Sequence, residues 1–325
     1  MIWAMRYKLL GLLLLSSQLF AIDYIDVYQT RGIKGVETVM DVSLATSEYW
    51  DEVLADKNVT FGLFSDFDNL LICNKKKGEL QRFSKNGTHQ FTKMDDLSTF
   101  TGKVKGDKQY EGDLKTPVGV YTFTKKLSYV DQFYGPLALV TNYPNAYDKA
   151  QSKTGSGIWV HGLPLKGDRD TFTKGCLAID NDDLVKLDGN IDPKKTALII
   201  APDETRKLDK STVSQLLSSL FKWRNAWKYN KYEQYLSFYD QTFKRPNGTT
   251  LSQFKAQKKY VFEGSRKKRI DISQINVIPY PSVNGEKLFF ISFFEKYDSG
   301  SVHFRGFKKL YVKLIDNTFK ILTEN

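Results

Sequence analysis

Cysteine and histidine are scarce in this chain of 325 residues: two cysteines, Cys73 and Cys176, and three histidines, His89, His161 and His303. No two of them stand at the spacing of a metal-ligand pair, so neither a metal centre nor a bound cofactor is expected. Two cysteines also fall short of the disulfide framework typical of small exported domains. A single Cys73–Cys176 bridge remains open as an alternative at this point. A phosphate-binding loop is missing, because Gly155-Ser156-Gly157 is followed by neither the helix nor the lysine that such a loop needs. Long apolar runs are missing too. The run Leu9–Leu15 is interrupted by Gly11 and is too short to cross a bilayer comfortably.

That short run is instead read as part of an export signal. Arg6 and Lys8 precede it, and Ser16, Ser17 and Gln18 lead to Ala21 as the cleavage residue. Residues 1–21 are therefore expected to be a cleaved signal peptide, with no cysteine nearby to carry a lipid, and the mature protein is expected in the periplasm. The composition, 41% hydrophobic and 14% aromatic, suits well-packed cores rather than disorder. Charge is unevenly placed. Residues 206–325 carry 23 Lys and Arg against 10 Asp and Glu, whereas residues 22–205 are mildly acidic. This asymmetry points to two domains with different surfaces. In an exported protein the anionic partners of the basic half are wall polymers or membrane head groups, and nucleic acid is not an expected partner.

Residues 22–60 show one helical stretch, Ser47–Ala55, with Tyr49, Trp50, Val53 and Leu54 at helical spacing. It is too small to fold alone, so it is expected to pack on the next domain or to pair two copies into a homodimer. Residues 61–203 read as short strands separated by turns: Leu70–Cys73, Leu80–Phe83, Val118–Phe123, Leu137–Val140, Ile158–Val160 and Ala197–Ile200. Such a series suits a sandwich or closed barrel, with one short helix, Asp180–Leu187, capped by Asp180 or Asn181. After a polar linker, residues 207–325 begin with an amphipathic helix, Ser211–Tyr229, whose Val213, Leu216, Leu217, Leu220, Trp223 and Trp227 recur on one face. A second helical stretch carries Tyr232, Tyr235, Leu236 and Tyr239. Strands then follow at Ile270–Val277, Leu288–Phe294, Phe304–Leu314 and Phe319–Leu322. The chain is thus expected to be an α+β multidomain protein. The aromatic residues of these helices are read first as core. Arg266-Lys267-Lys268-Arg269 is read as a solvated face or as a hold on an anionic glycan.

By elimination, Cys176 and His161 are the candidates for catalysis. His161 ends the apolar strand Gly157–Val160, and Cys176 closes Thr173-Lys174-Gly175-Cys176 after a polar loop, addresses from which two side chains can meet in a cleft. A thiol becomes a good nucleophile when an imidazole and a cation favour its thiolate, and Lys174 adds positive charge nearby. Gly175 permits a sharp turn, and amides there can hold a developing oxyanion. Gly175, Lys174, Thr173 and Trp159 are accordingly the candidate oxyanion and substrate-binding residues. The competing reading is a structural cysteine beside a satisfied core histidine.

The stretch His161-Gly162 … Thr173-Lys174-Gly175-Cys176 resembles the signature of the L,D-transpeptidase (YkuD-like) family, and Gly112-Asp113-Leu114-Lys115-Thr116-Pro117-Val118-Gly119-Val120-Tyr121 resembles its second motif upstream. The resemblance covers about residues 61–201. It implies a β-sandwich-like catalytic domain, a Cys176 nucleophile, a His161 base, and the Gly162 carbonyl orienting the imidazole as third member of the triad. It further implies action on the stem peptide and glycan of peptidoglycan. One departure stands out: many members carry arginine two residues after the cysteine, where this chain has Ala178. The C-terminal half resembles a nuclear transport factor two-like cone. The two domains in this order, with Lys-Gly-Cys-Leu-Ala, resemble the cell-shape-determining L,D-carboxypeptidases of helical bacteria. The implied reaction is removal of terminal D-alanine from a tetrapeptide through a Cys176 thioester. Cross-linking by the same acyl-enzyme, and a non-catalytic wall-binding scaffold, are the alternatives.

Overall fold

The computed structural model describes residues 23–86, 90–168, 170–264, 267–300 and 302–325. The expected signal peptide, His89 and Arg266 lie outside the described residues. The chain divides into two compact units, one ending at Val42 and the other Ser43–Asn325. Helix α1 (Tyr24–Leu44), whose last two residues belong to the second unit, is interrupted at Gly32, whose φ of 64° and ψ of −169° are not helical. The sequence reading had no helix here, because the Gly32-Ile33-Lys34-Gly35 step breaks the apolar period.

The second unit begins with α2 (Ser47–Val53), the helix expected from Tyr49, Trp50 and Val53. It packs on a later helix: the Trp50 ring stacks on Phe221 at 5.5 Å, and Leu54 is fully buried. Eight strands then close into a barrel. They are β1 (Asn69–Asn74), β2 (Glu79–Lys85), β3 (Phe91–Phe100), β4 (Gly119–Leu127), β5 (Ala138–Thr141), β6 (Trp159–His161), β7 (Leu177–Ile179) and β8 (Thr196–Ala201). Their order round the barrel is β1-β2-β3-β7-β6-β5-β4-β8. Two neighbour pairs are parallel, β1 with β8 and β6 with β7. The expected sandwich-like layers are therefore one sheet closed on itself, which leaves no free edge. Leu71, Cys73, Leu80, Leu139, Val160, Leu177, Leu198 and Ile200 fill its interior. The outer faces of β1 and β8 are buried too, so Leu70–Cys73 and Ala197–Ala201 are apolar runs rather than alternating ones. Between strands lie α3 (Ala146–Ala150) and α4 (Asn181–Asn190). The Asp180 carboxylate caps α4 by accepting from the amides of Asp182 and Asp183.

The C-terminal part pairs three helices, α5 (Lys210–Lys228), α6 (Tyr232–Leu236) and α7 (Leu251–Glu263), with an antiparallel sheet of β9 (Arg269–Tyr280), β10 (Leu288–Asp298), β11 (His303–Ile315) and β12 (Thr318–Glu324). Helix α5 starts at Asp209, whose carboxylate accepts from Thr212 N–H at 2.7 Å. Its buried face is wide, because α2 covers one side and the sheet the other. Asp316 and Asn317, both at positive φ, make the tight turn between β11 and β12. The barrel and the C-terminal sheet share a core. Leu63 and Val277 exchange two backbone hydrogen bonds of 2.8 Å, and Phe64, Ile72 and Ile199 pack with Ile278, Tyr280 and Phe290. Burial of this size is the main stabilising term available to such a contact, so barrel and sheet are held as one body.

Candidate active site

Strands β6 and β7 run side by side and parallel, with Val160 opposite Leu177 and His161 opposite Ala178. Cys176 precedes β7 and so enters next to Trp159, whose amide donates to Sγ at 3.5 Å. Strand geometry puts the Cα atoms of Cys176 and His161 about 8 Å apart, one strand across and two residues along. Alternation of side chains puts positions 159 and 161 on one face. The thiol is half-exposed and also donates to the Gly157 carbonyl at 3.3 Å. Neither cysteine forms a disulfide: Cys73 is sealed in the barrel interior, where burial pushes its thiol up to about 12. That settles the bridge left open by the sequence.

The imidazole of His161 is 1% exposed. Its Nδ1 lies 2.7 Å from the Gly162 carbonyl oxygen. A carbonyl can only accept, so Nδ1 carries the proton and Nε2 is left as the basic nitrogen. Tyr134, in a single helical turn at Gln132–Tyr134, sets its ring edge-on to the imidazole at 5.0 Å and to Trp159 at 5.2 Å. Its carbonyl accepts from Gly162 N–H at 2.9 Å, and the Asn181 side chain accepts from Leu163 N–H at 2.9 Å. The segment after His161 is thus pinned from two sides. Sequence reasoning missed Tyr134 and treated Asn181 only as a helix cap. No period or motif links residue 134 to residue 161; the contact arises from the loop folding back.

The loop before the nucleophile is braced by Thr173, which is buried. Its Oγ1 donates to the Cys176 carbonyl at 2.7 Å and accepts from Gly175 N–H at 3.0 Å. Thr173 therefore braces the loop through both of its hydroxyl bonds. The Gly175 amide is a member of this turn, so the glycine's contribution is conformational. Its φ is +135°, and a Cβ placed there would stand 2.8 Å from the Lys115 carbonyl oxygen. Gly175→Ala is expected to lower turnover at least about tenfold by displacing the nucleophile, measured as kcat on protein shown by its melting curve to be folded. Lys174 is exposed, Trp159 half-buried. Ala178, buried at 1% exposure, lies in register with both His161 and Phe100.

The residues of the upstream motif underlie this loop. The Asp113 carboxylate is held down to about 2 against the upward push of burial by Lys108 Nζ at 2.8 Å and by the amides of Gln109, Lys115 and Tyr110. That turn presents the Lys115 carbonyl to Gly175. Among the described residues no cluster of His, Cys, Asp and Glu has the make-up of a metal site.

The L,D-transpeptidase catalytic domain (YkuD) matches residues 68–200, and the Cds6 C-terminal NTF2-like domain matches residues 215–325. Two crystal structures of the helical cell shape determining protein Pgp2 from Campylobacter jejuni superpose with TM-scores of 0.83 and 0.81 at 39% identity. They cover 87% and 86% of this chain and 99% of their own. The chain belongs to the L,D-transpeptidase family. Bd1075 from Bdellovibrio bacteriovorus shares the architecture at 27% identity and a TM-score of 0.62, covering 82% of this chain and 95% of that one. The Escherichia coli protein YafK is 34% identical over 76 residues, which span 23% of this chain and 28% of YafK. This L,D-transpeptidase homologue is a peptidoglycan-acting enzyme with an appended NTF2-like domain, and its substrate lies outside the cytoplasm. No helix among the described residues is long and apolar enough to cross a membrane.

The NTF2-like domain holds a cavity of about 1040 Å³. Lys258, Lys308 and Arg245 face Glu295 and Glu324 there, with Trp227 and Tyr297 in the wall. Of the aromatic residues read from the sequence as core, Trp223 and Tyr235 are fully buried, and Trp227 is both packed and cavity-lining. In the basic run, Lys267 and Arg269 are exposed, while Lys268 is buried at the cavity with its ammonium donating to the Asn230 side chain. It is not part of a solvated face.

Proposed function

We propose that the protein is a periplasmic L,D-carboxypeptidase that removes the terminal D-alanine of the tetrapeptide stem and thereby contributes to cell shape, exported by a leader at residues 1–21. The observation that carries this reading is the committed tautomer of His161 beside Cys176. With Nδ1–H donated to Gly162, only Nε2 can exchange a proton with the thiol or with a substrate. The Cys176 thiolate attacks the carbonyl carbon of the diamino acid's L-centre, and the new C–S bond makes a tetrahedral oxyanion held by backbone amides next to the nucleophile, other than those of Thr173 and Gly175, which the loop itself uses. The C–N bond breaks as the leaving amine takes the proton from His161, and free D-alanine departs. Water then attacks the thioester while His161 accepts its proton. The C–S bond breaks, the tripeptide carboxylate leaves, and the thiolate is restored.

Water as acceptor is supported by Ala178. At the position beside His161 where many relatives place arginine, a buried methyl group offers no charge with which to hold an incoming peptide's carboxylate. The likeness to Pgp2, a helical cell shape determining protein, supports the role in shape. The cavity of the NTF2-like domain, lined by the cations Arg245, Lys258, Lys268 and Lys308 and the acids Glu263, Glu295 and Glu324, is a second point of contact with the wall. Incubating purified protein with disaccharide tetrapeptide tests the acceptor. Disaccharide tripeptide and D-alanine in equal amounts are expected. Cross-linked dimers in place of tripeptide would assign the enzyme to transpeptidation instead.

A further inference from the structure

Lys75 immediately follows β1, in a turn that the sequence marks only as polar, yet its side chain runs inward. Its ammonium donates to the carbonyl oxygens of Gly106 and Thr116. Both acceptors belong to the segment that supports the nucleophile loop. Thr116 is fully buried, and its hydroxyl accepts from Gly102 N–H at 2.7 Å. Gly102 pairs in parallel with Thr173: Thr173 N–H donates to Thr101 at 2.8 Å, and Lys103 N–H donates to Thr173 at 3.0 Å. Thr173 in turn bonds Gly175 and Cys176. The approach between these segments is close at two points. A Cβ on Gly102 would stand 2.3 Å from the Leu114 carbonyl, and one on Gly175 would stand 2.8 Å from that of Lys115. A shift in residues 114–116 is therefore passed to the nucleophile with no slack to absorb it.

We propose that Lys75 is a positioning residue for Cys176: by tying down the Gly106 and Thr116 carbonyls it fixes the shelf on which Gly102, Thr173 and Gly175 set the nucleophile. An ammonium suits the task, since it reaches two carbonyls of different segments at once with charge-assisted bonds. Burial brings its pKa down to about 8; Asp107, Asp113 and the Cys73 thiol oppose that shift, and Lys115 adds to it. The proposal rests on the reading of Cys176 as nucleophile, and two measurements keep their failures apart.

The first is the rate at which iodoacetamide alkylates Cys176, followed by peptide mass mapping, which needs no peptidoglycan substrate. The second is kcat and KM for tetrapeptide hydrolysis. Lys75→Met is expected to lower kcat by about ten- to a hundredfold with KM changed less than about twofold, and to alter the alkylation rate severalfold. Lys75→Arg is expected to recover most of both. Because a guanidinium stays charged, that variant should also lose any fall in kcat above pH 8 that belongs to Lys75. If Lys75→Met does not fold, Thr116→Val breaks the same chain of bonds one step nearer the nucleophile and should show the same split. Wild-type kcat and alkylation in folded Lys75→Met, or in folded Thr116→Val, would overturn the proposal. Full turnover in Cys176→Ala would instead sink the nucleophile reading itself.

Discussion

Cys176→Ala is expected to lower tetrapeptide hydrolysis by about four orders of magnitude or more, while binding to wall fragments persists. The size follows from the chemistry. With the thiol gone, no group on this face of β6 and β7 can form the covalent intermediate, and the residual rate comes only from binding and oriented amides. His161 keeps its bond to Gly162 in the variant but has no sulfur to serve. Wall binding is expected to persist because the proposed contact, the NTF2-like cavity, lies on other elements, between α7 and the β9–β12 sheet. Cys73→Ala is the matching control. That thiol is enclosed in the barrel and raised by burial to about 12, so its loss opens a small cavity and costs stability, about 1–2 kcal/mol, but leaves turnover per folded molecule unchanged.

Asp148→Ala is expected to be the more damaging change to the fold, at about 3–5 kcal/mol and a melting temperature lower by roughly 10 °C. Asp148 and Lys153 are both buried, 2.9 Å apart. The carboxylate also accepts from Tyr121 OH and from Asn145 N–H, each at 3.1 Å. Lys153 reaches Asp107 at 2.6 Å, and the Asn145 side chain donates to Tyr280 OH at 3.1 Å. Burial alone would pull the Lys153 ammonium down, but Asp148 and Asp107 outweigh it and hold its pKa above the usual value. Removing one carboxylate leaves the buried Lys153 ammonium with Asp107 alone and takes an acceptor from both Tyr121 OH and Asn145 N–H, which is where the cost arises. Because Tyr280 is on β9, the loss also loosens the contact between barrel and NTF2-like domain. Asp148→Asn keeps the shape and some of the hydrogen bonds, so a smaller drop is expected. Differential scanning calorimetry of both variants measures the order.

The parts of this molecule that could be read from sequence are those in which a local rule decides the outcome. Strands β1 and β8 carry continuous apolar runs, α5 repeats its apolar face for five turns, and the Asp316-Asn317 turn has residues that tolerate positive φ. The pair Cys176 and His161 stands out because cysteine and histidine are so scarce and because their motif is specific. Strand β3 went unseen because Lys93, Asp95 and Asp96 interrupt its first half; only Leu97 and Thr99, near its end, turn inward. Helix α7 hid behind Lys255, Lys258 and Lys259, which look like a solvated stretch although Lys258 is drawn into the cavity. Tyr134 and Lys75 act through contacts with residues far along the chain, and no spacing announces such a contact. Thr173 was visible as a motif residue, but its two bonds to Gly175 and Cys176 were not, since no spacing rule says which backbone groups a hydroxyl beside a nucleophile will brace.

Everything turns on a covalent bond to one sulfur, and that bond can be weighed. Protein mixed with tetrapeptide fragments, quenched in acid within the first turnover and digested, should yield the peptide bearing Cys176 with its mass raised by the disaccharide tripeptide acyl group. The adduct should disappear at long times as free tripeptide accumulates. Tripeptide formed with no adduct on Cys176 at any time, or with the acyl group on another residue, would contradict the account.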